Sequence, residues 1–337
     1  MLDLTALPDR LALALAARAP LLAGDPGHTG AARLFNGFVE GWPALTAEVY
    51  AATLVLHNHA EPAAAGQPAV AAAQAFYRQR LPWLRSVIAK ARYSPDAADR
   101  HGQLLWGDAP AARLVEAGVR YALDLRLQQD ASFYLDTRGL RAWAQANLAG
   151  QTVLNAFAYT GSLGVAARAG GAARVVHVDR QRAFLNLAKA SYTLNGFPIV
   201  KADFLAADFF AVAGRWRRAG MRFDCVMLDP PFFSATAAGR VDLVAESGRL
   251  INKARPLVAA GGRLVAVNNA LFLSGADYLR VLETLSADGY LEVEALIPVP
   301  VDCTGHPESV SRPLPADPAP FNHATKIAVL RVRRKTP

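Results

Sequence analysis

The stretch Thr152–Asp179, TVLNAFAYTGSLGVAARAGGAARVVHVD, limits the fold more tightly than any other part of the chain. A short apolar run, Val153-Leu154, ends in the small-residue turn Tyr159-Thr160-Gly161-Ser162-Leu163-Gly164. An alanine-rich helical segment follows, then a second apolar run, Val175–Val178, closed by Asp179. Strand, tight turn, helix, strand and acid together make the plan of a nucleotide-binding βαβ unit. Glycine in the turn lets the backbone approach a ligand, and the helix start aims free N–H groups at it. Asp179 follows the turn by about 20 residues, the spacing of a carboxylate that accepts hydrogen bonds from ribose hydroxyls.

A dinucleotide is a poor fit. Its pyrophosphate asks for G-x-G-x-x-G, and this turn offers only Gly161 and Gly164 after Asn155-Ala-Phe-Ala-Tyr-Thr160. Fewer glycines, with a hydroxyl and an amide present, suit a ligand without phosphates. S-adenosylmethionine, with adenine, ribose, a sulfonium and an amino-acid tail, is such a ligand. An ordinary α/β crossover, with glycines that only turn the chain, is the competing explanation.

Composition narrows the class. With 337 residues, 53% of them hydrophobic, the chain has material for a large core and two domains. A net charge of +8 favours a polyanionic partner, although a basic surface also serves solubility. Two cysteines without CxxC spacing argue against a disulfide framework or structural zinc, and no metal-ligand spacing appears. The opening MLDLTALPDRLALALAARAPLLAG carries Asp3, Asp9, Arg10 and Arg18, which favours an amphipathic surface helix over a signal peptide or anchor. The expectation is a soluble, cytoplasmic protein with no membrane partner. A homodimer stays open.

In chain order, residues 1–28 read as a helix and loop, 29–110 as a small α/β accessory domain, and 111–337 as the catalytic domain. The accessory domain is expected to hold short strands around a Gly-Trp-Pro turn. A helix is read over Gln74–Ala91, kinked or split at Pro82. The domain boundary is placed in the polar stretch Arg92–Pro110. Beyond Thr152 the alternation continues: helix 181–195, strand Pro198–Lys201 followed by Asp203, and strand Phe223–Leu228 ending in Asp229-Pro230-Pro231-Phe232-Phe233-Ser234. A long helix is read over Val241–Ala260, ended by Gly261-Gly262, before strand Arg263–Val267 and Asn268-Asn269. Regular alternation implies a parallel sheet covered on both faces, with ligands at the carboxyl ends of its strands.

Four features, the Asn155–Gly164 turn, Asp179, Asp203 and DPPFFS, resemble the class I S-adenosylmethionine-dependent methyltransferase pattern. That resemblance implies a Rossmann-like, mostly parallel sheet with an antiparallel last strand. It places the methionine part of the cofactor at Asn155, Phe157, Tyr159, Thr160 and Gly161, the ribose at Asp179, the adenine amino group at Asp203, and the transferring methyl near Asp229. For Asp179 and Asp203 the competing explanation is a helix N-cap. Phe232 or Phe233 is expected to stack on an extruded nucleobase, with the other ring buried.

The segments QQDASFYLDTRGLR, VLNAFAYTGSLGVAA and FDCVMLDPPFFS are more closely similar to the large-subunit (23S) ribosomal-RNA methyltransferase family, whose members make 5-methylcytosine or 7-methylguanosine. The resemblance implies cofactor contacts from Phe133, Asp136 and Arg138. An N-terminal PUA domain, common in the family, is not expected because few residues precede Ala31. The 5-methylcytosine members carry a cysteine after the fifth strand, since methylation at C5 needs a thiolate addition. Here Val267-Asn268-Asn269-Ala270 stands in that place, and Asn-Asn resembles the 7-methylguanosine branch. A nitrogen acceptor supplies its own lone pair, so orientation is what remains for the protein to provide.

The expected function is therefore methylation of a nucleic-acid base, most of all in ribosomal RNA and at nitrogen, with Asp229, Pro230, Pro231, Phe232, Phe233 and Asn268 at the reacting centre. Rival readings are a 5-methylcytosine enzyme using Cys303, an exocyclic-amine methyltransferase using DPPF, a small-molecule methyltransferase, and a non-catalytic RNA-binding protein. His306 and His323 are weaker candidates for base contacts. Basic clusters at Arg215–Arg218, around Arg78, Arg80 and Arg85 with Trp83, and at Arg331–Lys335 suit RNA phosphates interleaved with stacking.

Overall fold

The computed structural model describes residues 4–333. The chain divides into two compact units, residues 1–135 with 300–314, and residues 136–299 with 315–337.

The first unit opens with helices α1 (Leu7–Ala17) and α2 (Ala19–Ala23), followed by strands β1 (Ala31–Phe35), β2 (Leu45–Tyr50) and β3 (Thr53–Asn58). Helix α3 (Gln67–Arg80), β4 (Ser86–Ala91), α4 (Ala97–His101), β5 (Gln103–Gly107), β6 (Arg113–Glu116) and β7 (Val119–Ala122) complete its regular elements before residue 135. The sheet runs β1-β2-β3-β4-β5 and is antiparallel except for the β3–β4 pair, which α3 connects. Alternation along the strands sorts its two faces. One carries Leu34, Ala47, Leu54 and Leu56, packed with Leu7, Leu11 and Tyr77 in a single apolar cluster.

The other face is polar and buried. Glu48 there takes Arg33 at 2.7 Å, His57 Nε2 at 3.0 Å and the Tyr50 hydroxyl at 2.8 Å. Burial raises its pKa, but the Arg33 and His57 charges outweigh that and hold the carboxyl well below the usual range. Lys90 Nζ donates to the carbonyls of His101 and Gln128, each at 2.7 Å, and the Tyr50 hydroxyl reaches the Phe133 carbonyl at 3.1 Å. Residues 128–133 are thus hung from the polar face of this sheet.

Several expectations change in this unit. The second half of Gln74–Ala91 is not helix, because α3 ends at Arg80 and SVIAKA forms β4. Pro82 stops the helix, and the β-branched pair Val87-Ile88 then pairs with β3 on one side and β5 on the other. The boundary expected within 92–110 runs through ordered structure, since α4 and β5 occupy it and β5 pairs with β4.

The second unit holds α5 (Arg138–Asn147), β8 (Thr152–Ala156), α6 (Ser162–Ala169), β9 (Arg174–Asp179), α7 (Arg182–Leu194), β10 (Phe204–Ala206), α8 (Phe209–Arg218) and β11 (Phe223–Leu228). A hairpin, β12 (Phe233–Thr236) and β13 (Gly239–Asp242), leads to α9 (Ser247–Ala254), β14 (Val258–Asn268), α10 (Gly275–Ser286), β15 (Leu291–Ile297) and β16 (Lys326–Val332). The seven-stranded sheet is ordered β10-β9-β8-β11-β14-β16-β15. Strands β10, β9, β8, β11 and β14 are parallel, and the last strand, β16, is antiparallel to both neighbours. The mostly parallel sheet is the one that the alternation implied, its antiparallel last strand is the one that the resemblance to class I methyltransferases implied, and a small α/β unit accompanies it.

Chain order reverses between β8 and β11, the place where open α/β sheets bind ligands. Ala156 pairs with Leu228 and Leu228 with Ala266, so three neighbouring strands finish at a common edge. The long helix expected over 241–260 is replaced by β13, the short α9 and a strand that starts at Val258. Pro256 cannot extend α9, and Gly261-Gly262 lie in a bulged part of β14, where the register with β11 shifts.

Candidate active site

At the β8 carboxyl end, Asn155 is buried and its Nδ2 lies 3.4 Å from His177 Nδ1. The turn that follows holds two non-glycine residues with left-handed backbone, Phe157 (φ 56°) and Tyr159 (φ 49°), before Gly161 (φ 81°) opens α6. Such conformations cost on the order of 1–3 kcal/mol each for ordinary residues. Here they bring the Tyr159 N–H to Asp179 Oδ2 at 2.8 Å. Thr160 in the same turn is buried. A Cβ on Gly161 would stand 2.5 Å from Ala188 Cβ, and one on Gly164 would stand 2.4 Å from the His177 ring. These glycines therefore also admit close helix–strand packing. Burial pushes His177 down to about 3, so its imidazole is neutral at physiological pH.

Asp179 ends β9 partly buried, and its other oxygen accepts the Gln181 N–H at 2.8 Å. Each carboxylate oxygen keeps a second lone pair, which leaves the group free to accept from a diol. Burial raises its pKa, and the Gln181 and Tyr159 N–H bonds oppose this.

Asp203 is a correction. The expected strand Pro198–Lys201 is absent; β10 starts at Phe204, which puts Asp203 at the amino end of its strand. Its Oδ1 accepts from Arg174 Nε (2.9 Å) and Nη2 (2.6 Å), and Arg174 starts β9 at that same end. The acid at the carboxyl end is Asp208. Its Oδ1 caps α8 through Phe210 N–H at 2.8 Å, and the Ala207 N–H binds the Asp179 carbonyl at 2.9 Å. The sequence carries the signal, an acid directly before the helical run Phe209-Phe210-Ala-Val-Ala, but the strand before it begins later than the apolar residues suggest.

Asp229, at the β11 carboxyl end, has no hydrogen-bond donor to its carboxylate among the described residues. Burial, with the Asp136 charge adding and Arg141 opposing, pushes it up to about 7. Asp136 accepts from Thr325 Oγ1 at 2.7 Å, and the buried Arg141 donates to Thr137 Oγ1 at 2.9 Å. Two neighbouring acids, one lacking donors, make a place that favours a cation. Arg138 opens α5, half-buried.

Pro230 is buried and Pro231 exposed, and Phe232 and Phe233 are both exposed, at 50% and 56%. Neither ring fills the core, because β12 leaves the sheet to pair only with β13. Asn268 is fully buried; its Nδ2 donates to the Leu243 carbonyl at 2.9 Å and its Oδ1 accepts from Ala270 N–H at 3.0 Å. That satisfies the amide structurally and removes it from the reacting centre. Asn269, exposed, donates instead to the Pro230 carbonyl at 3.4 Å.

Phe133 belongs to the first unit, where its ring is buried beside Tyr121, 4.9 Å between centroids. Cys303 lies in the same unit, fully buried in the helical turn Val301–Thr304, and its carbonyl accepts from Asn36 Nδ2. Cys225 is buried in β11, and burial pushes its thiol up to about 12. His323 Nδ1 accepts the Thr325 N–H at 3.0 Å. Among the described residues no cluster of metal-ligating side chains occurs, and no helix is long and apolar enough to cross a membrane.

A strained turn, an acid with lone pairs free for a diol and an acid without a donor among the described residues stand on one edge of a Rossmann-like sheet, an arrangement that suits S-adenosylmethionine. A family model described as S-adenosylmethionine-dependent methyltransferase matches residues 32–301, and the chain belongs to that family. Among its relatives, a ribosomal RNA large subunit methyltransferase I of Serratia proteamaculans is 34% identical over 204 residues, 60% of this chain and 51% of that protein. The Aeromonas salmonicida protein of the same name is 29% identical over 85% of this chain and 72% of its own length. A ribosomal RNA large subunit methyltransferase of Deinococcus radiodurans is 30% identical over 80% and 67%. The chain thus spans from about half to about seven-tenths of these relatives. A methyltransferase solved in complex with SAH has the same fold, with TM-score 0.82 at 21% identity over 98% of this chain and 82% of that one. An S-adenosylmethionine-dependent methyltransferase from Agrobacterium tumefaciens gives 0.60 at 18% identity, over 90% of each chain.

Proposed function

We propose that this methyltransferase acts on a base of large-subunit ribosomal RNA, at a nitrogen, in the cytoplasm. The observation that carries the nitrogen assignment is the pairing of Asn269 with the Pro230 carbonyl where a covalent route needs a thiol. Both cysteines are fully buried, which also speaks against nucleophilic addition. The names of the relatives and the net charge of +8 support an RNA substrate.

S-adenosylmethionine supplies a methyl group on a sulfonium. The 157–161 turn holds its amino-acid part, Asp179 accepts from its ribose, and Asp208 takes the adenine role expected of Asp203. Asp136 and Asp229 supply the negative field that a cation needs. Pro230 and Asn269 orient the acceptor edge, and Phe232 or Phe233 stacks on the extruded base. The first unit is read as an RNA-contacting accessory domain. Exposed Arg78 lies over the Trp106 ring at 4.2 Å, and Trp83 stacks on His28 at 4.0 Å.

Nucleoside mass spectrometry of large-subunit RNA from cells with and without this gene tests the reading. Loss of a nitrogen-methylated nucleoside, 7-methylguanosine in the first instance, is expected. Loss of 5-methylcytosine would move the acceptor to carbon, and no change would remove ribosomal RNA as substrate.

A further inference from the structure

Around the Pro230 carbonyl three loops are tied together by side-chain and backbone bonds. Asn269 Nδ2 fastens the loop after β14 to Pro230, Asn268 Nδ2 fastens the same strand end to Leu243, and the Leu243 N–H donates to the Phe232 carbonyl at 3.2 Å. Each loop then turns large apolar side chains outward: Phe232 and Phe233 on the first, Val244 on the second, Leu271 and Phe272 on the third. Phe272 is the extreme case, 77% exposed. Burying a phenylalanine in a core is among the larger apolar gains a side chain can make, and this ring forgoes it although Ala270, two residues earlier, is fully buried.

We propose that Phe272, in the loop that follows β14 and that Asn269 ties to Pro230, is a base-stacking residue that holds the target nucleotide out of the RNA stack. This rests on the RNA-base reading above. The occupant follows from chemistry at the edge of the site. The strand ends that carry these loops also carry polar groups, the Asp229 carboxylate, the Pro230 carbonyl and the Asn269 amide, which suit the edge of a heterocycle. Aromatic rims suit its faces. A base must leave its helix before an atom of its edge reaches a cofactor at the strand ends, and the opening needs something to hold it. The loops are braced by asparagine amides, so the rings are carried on a fixed frame.

Methyl incorporation from labelled S-adenosylmethionine into ribosomal RNA of cells lacking the gene provides the test, using wild type, F272A and F272W. Stacking of a base on one aromatic accounts for about 5- to 150-fold in affinity. F272A is expected to lower kcat/KM about ten-fold or more, mainly through KM for RNA. F272W is expected to stay near wild type, with cofactor affinity by calorimetry unchanged in both. Wild-type kcat/KM in F272A, or an equal loss in F272W, would overturn the assignment. If the wild-type protein itself incorporates no methyl into this RNA, the RNA reading fails, a result distinct from F272A matching an active enzyme.

Discussion

Asn269 donates its side-chain amide to the Pro230 carbonyl at 3.4 Å, while Asn268, one residue earlier, is buried and binds Leu243. Two adjacent asparagines thus have separate partners, one on the loop after β11 and one inside the fold. Asn269→Ala should lower kcat for methyl transfer by about ten-fold and leave S-adenosylmethionine affinity unchanged by calorimetry. Asn268→Ala should instead destabilise the protein by about 1–3 kcal/mol, since it strands a buried carbonyl and a buried N–H, and denaturant unfolding would read this. Equal kinetics in the two variants would remove the division.

The acids at the sheet edge make a second pair of contrasts. Asp179→Ala should weaken cofactor binding by more than ten-fold. Asp208→Ala should also weaken it, with about 1 kcal/mol of added instability from the lost α8 cap. Asp203→Ala, which breaks only the pair with Arg174, should leave affinity within about two-fold, as expected for a partly exposed ion pair. Titration calorimetry on the three variants decides whether Asp203 or Asp208 serves the adenine.

Asp229 gives a pH dependence. Its pKa in the folded protein, about 7, lies above the ordinary value of 3.8, so the folded state holds a proton that the unfolded chain has released. The stability this contributes is fully present below about pH 4 and is lost as pH rises through about 7. Thermal midpoints of wild type and Asp229→Asn should therefore diverge from pH 5 to pH 8, with the asparagine variant gaining. Parallel curves would show that the carboxyl titrates normally.

The accessory unit should bind phosphates through its exposed arginines. Replacing Arg78 and Arg85 together with alanine should weaken RNA binding and reduce the slope of log affinity against log salt by about 1 for each phosphate no longer neutralised. An unchanged slope in a filter-binding series would move the RNA surface elsewhere.

The βαβ unit and the DPPFFS loop are legible in the sequence because their signals are local: apolar runs of strand length, glycines at a turn, and an acid at a fixed spacing. What escapes depends on partners distant in sequence. Ile199 and Val200 look like a strand yet are exposed, and the shorter Phe204–Ala206 takes the pairing with β9, which puts Asp208 rather than Asp203 beyond the carboxyl end of the strand. Whether Asn268 or Asn269 points inward is a question of strand phase, set by pairing of Asn268 with Lys326 almost sixty residues later. Phe133 sits three residues before Asp136, whose charge acts on Asp229, but its own ring is buried in the other unit beside Tyr121. Helix propensity within 241–260 gives way to β14, whose neighbours β11 and β16 lie outside any local window.

The most direct test of nitrogen methylation without a covalent intermediate is product identity with both cysteines removed. Purified wild type and a Cys225→Ala, Cys303→Ala variant would each be given labelled S-adenosylmethionine and ribosomal RNA from cells lacking the gene, and the RNA digested to nucleosides. The account predicts the same nitrogen-methylated nucleoside from both proteins. Label on carbon 5 of cytosine, with turnover lost in a folded cysteine-free variant, would contradict it.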